Sequence, residues 1–242
     1  MSIALLSDIH GNLEAFEAVL ADLARHKVEG IYCLGDVIGY GGDPTACLAL
    51  TRKHCTKMLM GNHEFAVLGL IEAENMNEAA QESLAWTARQ LGDNDTNYLA
   101  DLEMSMVVDD CLLVHASPHD PSNWHYVLTR TEAARGFEAF SQQICFYGHT
   151  HVPMIFARAD DGNIRNRMGH DFDPDEEARY LVNVGSVGQP RDDDPRACYV
   201  IYDKQSAAVT YHRVTYDIKK TQAKMTEAKL PRMLIERLEF GR

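Results

Sequence analysis

Ile3-Ala4-Leu5-Leu6-Ser7-Asp8-Ile9-His10 sets an apolar run of strand length directly before two side chains that can bind metals. The same figure returns four times. Runs 31–34, 58–60, 112–114 and 144–147 lead into Gly35-Asp36, Gly61-Asn62-His63-Glu64, His115 and Gly148-His149-Thr150-His151. Short aliphatic or aromatic runs bounded by glycine and polar residues read as buried strands. Side chains gathered from the carboxyl ends of several strands are how α/β proteins assemble a site. If the five runs are neighbouring strands of one sheet, all five motifs meet at its carboxyl edge.

Between these runs the chain carries helix signals. Asn12 can cap a helix whose apolar positions Leu13, Phe16, Leu20 and Leu23 recur at helical spacing. Asp43-Pro44 reads as a cap with proline at the first helical position, residues 77–91 as a further helix, and Thr129 with Glu132 as a capping box before a helix reaching Phe140. Strands alternating with helices imply a layered α/β fold. Past residue 160 the character changes. Residues 160–177 are polar and acidic and read as an exposed loop or hairpin tip, while 180–184, 197–202 and 208–214 suit a second, antiparallel sheet. The last stretch, about 217–242, is basic, and Leu230, Met233, Leu234 and Leu238 share one helical face, as in an amphipathic helix docked on the body.

The 242 residues suffice for one substantial core, so a single domain over 1–242 is expected. With 23 basic against 36 acidic side chains, the net charge of -13 disfavours stable nucleic-acid binding, which needs a basic surface. A nucleotide substrate stays open, because bound cations reverse the local charge. The six cysteines show no CxxC spacing and several sit in apolar runs, as in a reducing compartment. Residues 1–6 run straight into the first motif without a basic flank or a small-residue cleavage site, and no apolar stretch approaches the ~20 residues of a spanning helix. A cytoplasmic protein without membrane contact is the simplest expectation; the oligomeric state is not legible.

Each motif alone is ordinary turn or cap chemistry; their order together is specific. The candidate centre holds Asp8, His10, Asp36, Asn62, His115, His149 and His151, too many ligands for one ion. Mixed carboxylate, imidazole and amide donors suit Mn, Fe, Ni, Co or Zn. Two ions sharing one carboxylate sit ~3.5–4 Å apart in two-metal hydrolases, and Asp36 is the natural bridge. His63, beside Asn62, could protonate a leaving oxygen while a metal-acidified hydroxide attacks phosphorus. His119 and His125 lie in a loop, 117–128, that follows a candidate ligand and can line a substrate entrance; His26, His54, His170 and His212 read as surface or structural.

The order DxH, GD, GNHE, a lone His and GHxH resembles the calcineurin-like metallophosphoesterase superfamily, and Asn183-Val184-Gly185-Ser186-Val187 with Pro190-Arg191 is similar to the segment that closes the site in its small bacterial and archaeal phosphodiesterase-like branch. The resemblance implies a four-layer α/β/β/α sandwich of two mixed β-sheets flanked by helices. It assigns one ion to Asp8, His10, Asp36 and His151, the other to Asp36, Asn62, His115 and His149, and proton donation to His63. Manganese is the metal favoured for assay in vitro. Family members acting on phosphoproteins, and symmetrical dinucleoside tetraphosphate hydrolases, carry GDxVDRG and RGNHE. Here Gly39 stands in place of the aspartate that orients the histidine, and Tyr40 and Met60 in place of two phosphate-clamping arginines. A phosphodiester, with its monoanionic centre, is therefore the expected substrate, with Asn62 and Arg191 as substrate contacts; the equally weighted alternative for Arg191 is a surface ion pair with Asp192, Asp193 or Asp194. A phosphomonoesterase or nucleotide pyrophosphatase is the runner-up, and a non-catalytic scaffold of the same fold a third reading, opposed by the complete ligand set.

Overall fold

The computed structural model describes residues 1–71 and 77–242. Strand β1 (Ser2–Leu6) alternates sharply: Ile3 and Leu5 point to one core, Ala4 and Leu6 to another, and all four are buried. A strand buried on both faces needs a layer on each side. It lies at the centre of a five-stranded sheet, parallel to β2 (Val28–Cys33), which is parallel to β3 (Lys57–Met58), and antiparallel to β10 (Ala197–Asp203), with β11 (Val209–Val214) at the edge. Helices α1 (Leu13–Leu23) and α2 (Pro44–His54) contribute Phe16, Val19, Cys47 and Leu48 to the core that covers its outer face.

The second sheet is six-stranded. Its order is β4 (Ser105–Val108), β5 (Cys111–Val114), β6 (Ile144–Tyr147), β9 (Ala178–Asn183), β7 (Met154–Ala159) and β8 (Ile164–Met168). Strands β5, β6 and β9 run parallel, and the other pairings are antiparallel. Ile144 and Phe146 of β6 face the first sheet, while Cys145 and Tyr147 face α6 (Arg130–Phe137). The result is the expected α/β/β/α sandwich of two mixed sheets.

Three expectations change. The five runs do not share one sheet: β1, β2 and β3 belong to the first, β5 and β6 to the second, and the motifs converge because the parallel strands of both sheets end at the same rim. Segments 180–184, 197–202 and 208–214 do not form a sheet of their own, since β9 joins the second sheet and β10 and β11 the first. Residues 160–177 are not all loop. Strand β8 pairs along β7 as an exposed edge, where backbone hydrogen bonds suffice and no apolar alternation marks it.

Local signals fared as their chemistry dictates. Asn12 caps α1 through Ala15 N at 3.1 Å, and Thr129 and Glu132 form the capping box of α6, which ends at Phe137, short of Phe140. Asn77 caps α4 (Glu78–Ala88), whose end precedes Leu91. Asp43 makes no cap bond; its carboxylate takes Lys224 at 2.8 Å instead. The basic tail is two helices, α7 (Ile218–Glu227) and α8 (Arg232–Glu236), broken at Leu230-Pro231. Leu230, Leu234 and Leu238 pack with Met225, Tyr40 and Ala80, whereas Met233 is 55% exposed, so the tail is docked but by a narrower face than its pattern suggests. Between α2 and α4 lies the short α3 (Asn62–Val67), and α5 (Asp93–Ala100) follows α4. All six cysteines are free, and among the described residues no helix is long and apolar enough to cross a membrane.

Candidate metal centre at the rim of two sheets

Each strand ends and the chain turns sharply into the rim. Asp8, His10, Asp36, His149 and His151 all have left-handed backbones, with φ between 49° and 65°. Non-glycine residues pay for this conformation, and such strain gathers where the fold must aim side chains. The loops are stitched together by backbone bonds: Asp8 N to Gly35 O at 3.1 Å, His10 N to Asp36 O at 2.9 Å and Gly148 N to His115 O at 2.8 Å. The segment after β9 closes the ring across the sheets, with Val187 N donating to Ser7 O, Gly188 N to Asp8 O and the Ser186 hydroxyl to Asp8 O at 2.8 Å.

All seven predicted ligands are buried and meet there. Asp8, His10 and His151 form one group and Asp36, His115 and His149 another, each with its ligand atoms within 4.8 Å of one another. Asp36 lies between them: its Oδ2 is 3.6 Å from His10 Nε2 and 3.3 Å from His115 Nε2. Asn62 Oδ1 is 3.2 Å from His115 Nε2 and so joins the second group.

The donors suit cations. His10, His115 and His151 each point Nδ1 at a backbone carbonyl, of Ile38, Leu34 and Gln189, at 3.0, 3.0 and 2.6 Å. That bond places the ring proton on Nδ1 and leaves the Nε2 lone pair facing inward. His10 and His151 then oppose Nε2 to Nε2 at 3.1 Å, a lone-pair contact that a cation between them relieves. His149 Nε2 and Asp8 Oδ1 are buried without a hydrogen-bond partner. Buried polar atoms of this kind are normally satisfied, so a shared, unmet set among these donors is one that could hold a metal ion. Charge balance agrees. Burial pushes Asp8 up to about 7 and His149 down to about 3, whereas for His115 burial is opposed by the Asp36, Asp8 and Glu64 carboxylates, which together lift it to about 9.

His63 sits on the first turn of α3, its backbone N donating to Asp36 Oδ1 at 2.9 Å and its ring edge-on to His10 and Tyr40 at 4.7 and 4.4 Å. Nothing orients its Nδ1, which is buried without a partner, and burial lowers its pKa to about 4. Gly39 explains why. A Cβ there would lie 2.1 Å from His63 Nδ1, so the position that lacks an aspartate has no room for one, and its φ of +84° favours glycine besides. Met60 is buried and cannot reach a phosphate, while Tyr40 lines the mouth.

Above the ligand cluster opens a cavity of about 370 Å³ lined by Asp36, Asn62, His63, His149 and His151, with Tyr40, Trp124, Tyr126 and Arg191 among its walls. Arg191 forms no ion pair with the neighbouring aspartates. Asp192 is taken by Arg213, Asp193 by Arg242 and Asp194 by Arg196, and Arg191 instead bonds the Gln189 amide oxygen at 2.7 Å. His119 and His125 stack on each other, exposed, and do not line the cavity; Trp124 and Tyr126 of the same loop do, Tyr126 stacking on His149 at 4.3 Å. His26 and His212 pair with each other away from the rim.

Sequence reasoning missed Glu64. Its fully buried carboxylate accepts four backbone N–H groups, from Asp36 and Gly61 on Oε2 and from Val37 and Ile38 on Oε1. It thereby locks the Asp36 loop to the Asn62 turn. The tetrapeptide Gly61-Asn62-His63-Glu64 was visible as a unit; that its last member braces a different strand end was not.

A fold of two packed mixed sheets with histidines and aspartates converging at one rim defines a metallophosphoesterase. The chain belongs to the calcineurin-like phosphoesterase superfamily, whose domain model matches residues 1–207. It is 40% identical to a metallophosphoesterase from Sphaerobacter thermophilus, whose crystal structure superposes with a TM-score of 0.88 over 100% of this chain and 99% of that one. An uncharacterized protein of Methanocaldococcus jannaschii is 36% identical, covering 99% of this chain and 98% of its own. A symmetrical bis(5'-nucleosyl)-tetraphosphatase of Pectobacterium carotovorum is 24% identical over 76% of this chain and 64% of its own length. The family is metal-dependent, and its membership supports hydrolysis of phosphoric esters.

Proposed function

We propose that this protein is a dinuclear metal-dependent phosphodiesterase. The observation that carries the reading is Asp36 Oδ2 lying between two ligand groups, within 3.6 Å of His10 Nε2 and 3.3 Å of His115 Nε2. Asp8, His10, Asp36 and His151 would hold one ion, and Asp36, Asn62, His115 and His149 the other. Bound there, two divalent ions supply Lewis acidity, water activation and neutralisation of phosphate charge.

The protein's own residues do the rest. The carbonyl bonds to His10, His115 and His151 fix ring orientation and keep each Nε2 unprotonated. Asn62 and Arg191 line the cavity and orient the phosphate oxygens, and Trp124 and Tyr126 shield the site from bulk water. His63 donates a proton to the leaving oxygen; burial keeps its ring neutral in the free site, and the negative charge of the incoming phosphate draws the proton on. A single arginine in the cavity, with Met60 buried and Gly39 sterically fixed, suits a monoanionic diester better than a dianionic monoester.

Manganese is the assay metal of choice, and a cytoplasmic site of action and one domain spanning 1–242 belong to the same reading, on the strength of six free cysteines and a tail packed onto the Tyr40 loop. The test is a comparison of kcat/KM on bis-p-nitrophenyl phosphate and p-nitrophenyl phosphate with added Mn²⁺. A higher value for the diester is expected; a clear monoester preference overturns the assignment.

A further inference from the structure

The cavity over the candidate ligands does not end there. Tyr40, Asn77, Tyr126 and Arg191 also line a second cavity of about 450 Å³, whose far side is Arg237 and Arg242 from the C-terminal segment. The two form one groove with Arg191 at the junction. Arg242 is paired with Asp193 at 2.6 Å. Arg191 is different: it has no carboxylate within ion-pair distance among the described residues, although the chain carries an excess of 13 negative charges. Arg237 is half-buried, and its Nε donates to the main-chain oxygen of Arg242, the last residue of the sequence, while no hydrogen bond takes either terminal nitrogen among the described residues.

Two guanidinium groups lining one groove, Arg191 free of carboxylates and Arg237 with both terminal nitrogens open, present planar donors suited to an anion. We propose that Arg191 and Arg237 form an anion subsite that holds a second phosphoryl group of the substrate, linked to the one that reacts at the metals. Burial, and to a lesser degree the neighbouring Arg191, lowers the Arg237 pKa to about 10, which leaves the guanidinium charged at neutral pH. The substrate class is thereby narrowed to molecules with adjacent phosphoryl groups, such as nucleoside polyphosphates and their esters. An internal phosphoryl of such a chain is itself monoanionic, consistent with the diester-type centre above. The tail then has a role in recognition. Packing of Leu230, Leu234 and Leu238 against Tyr40 fixes where Arg237 stands.

The inference rests on the phosphoesterase reading for its substrate but not for its test, which needs no turnover. Affinities of α,β-methylene-ADP and AMP for the Mn²⁺-loaded protein are measured by calorimetry, so that the shared adenosine cancels in their ratio. The analogue should bind about tenfold tighter or better, the advantage of a charge-assisted arginine contact. Arg237→Gln should bring the ratio close to one, and Arg237→Lys should return part of it. A ratio near one in the unaltered protein, or the same ratio in Arg237→Gln, overturns the subsite. So does a gain of equal size when free inorganic phosphate is added with AMP, since the site would then serve a separate ion. Full dependence on Arg237 without hydrolysis of any phosphoester would leave the subsite standing and fell the hydrolase assignment instead.

Discussion

Replacing Glu64 by glutamine exchanges one oxygen for an NH₂ group of nearly the same size, and the structure makes that exchange severe. Oε2 accepts from Asp36 N at 2.8 Å and Gly61 N at 3.0 Å, Oε1 from Val37 N at 2.9 Å and Ile38 N at 3.2 Å. Whichever way the amide is turned, its NH₂ faces two backbone N–H donors that have no water to turn to. Each buried donor left unsatisfied costs about 1–3 kcal/mol, so the substitution should destabilise the protein by roughly 2–6 kcal/mol. Domains of this size have ~5–15 kcal/mol in all and lose ~2–4 °C of Tm per kcal/mol, so a fall of at least ~4 °C is expected. Urea and thermal unfolding with chelator present measure this directly. Because the same carboxylate ties the Asp36 loop to the Asn62 turn, Mn²⁺ affinity should also drop by ~10–100-fold, as for other residues that orient ligands. Stability within ~0.5 kcal/mol of the unaltered protein, with unchanged Mn²⁺ affinity, would refute the brace.

Asp36→Asn should abolish phosphoesterase activity and reduce bound metal below two ions per chain by elemental analysis; full metal content with intact turnover would exclude Asp36 as the bridge. Gly39→Ala should lower stability and activity together, since its Cβ would fall 2.1 Å from His63 Nδ1, and calorimetry alongside turnover checks both. Acid should loosen the C-terminal segment. Although burial opposes it, ion pairing with Lys224 and Lys220 holds Glu14 below its ordinary 4.5, so this stabilisation is complete above that value and is lost as pH falls below it. Unfolding between pH 6 and 3 should accordingly show a shallower pH slope for Glu14→Gln, and identical slopes would remove the anchor from the account.

The amino-acid sequence by itself determined the candidate ligands and the strands that carry them. Strand periodicity and side-chain chemistry are local properties, so Asp8, His10, Asp36, Asn62, His115, His149 and His151 were legible without a fold, as were the caps at Asn12 and Thr129. The departure at Gly39 was legible too, though not its cause. Only the tertiary structure decided how the motifs meet. They come from two sheets rather than one, because β1 pairs with β10 some two hundred residues away and β9 leaves its sequence neighbours for β6. No local pattern encodes such pairings, nor the four donors that converge on Glu64, nor the release of Arg191 from its aspartate neighbours when Arg213, Arg196 and Arg242 take them. Charges are shared out by proximity in space, and for that reason the chemistry of the site could be read along the chain while the shape of its groove could not.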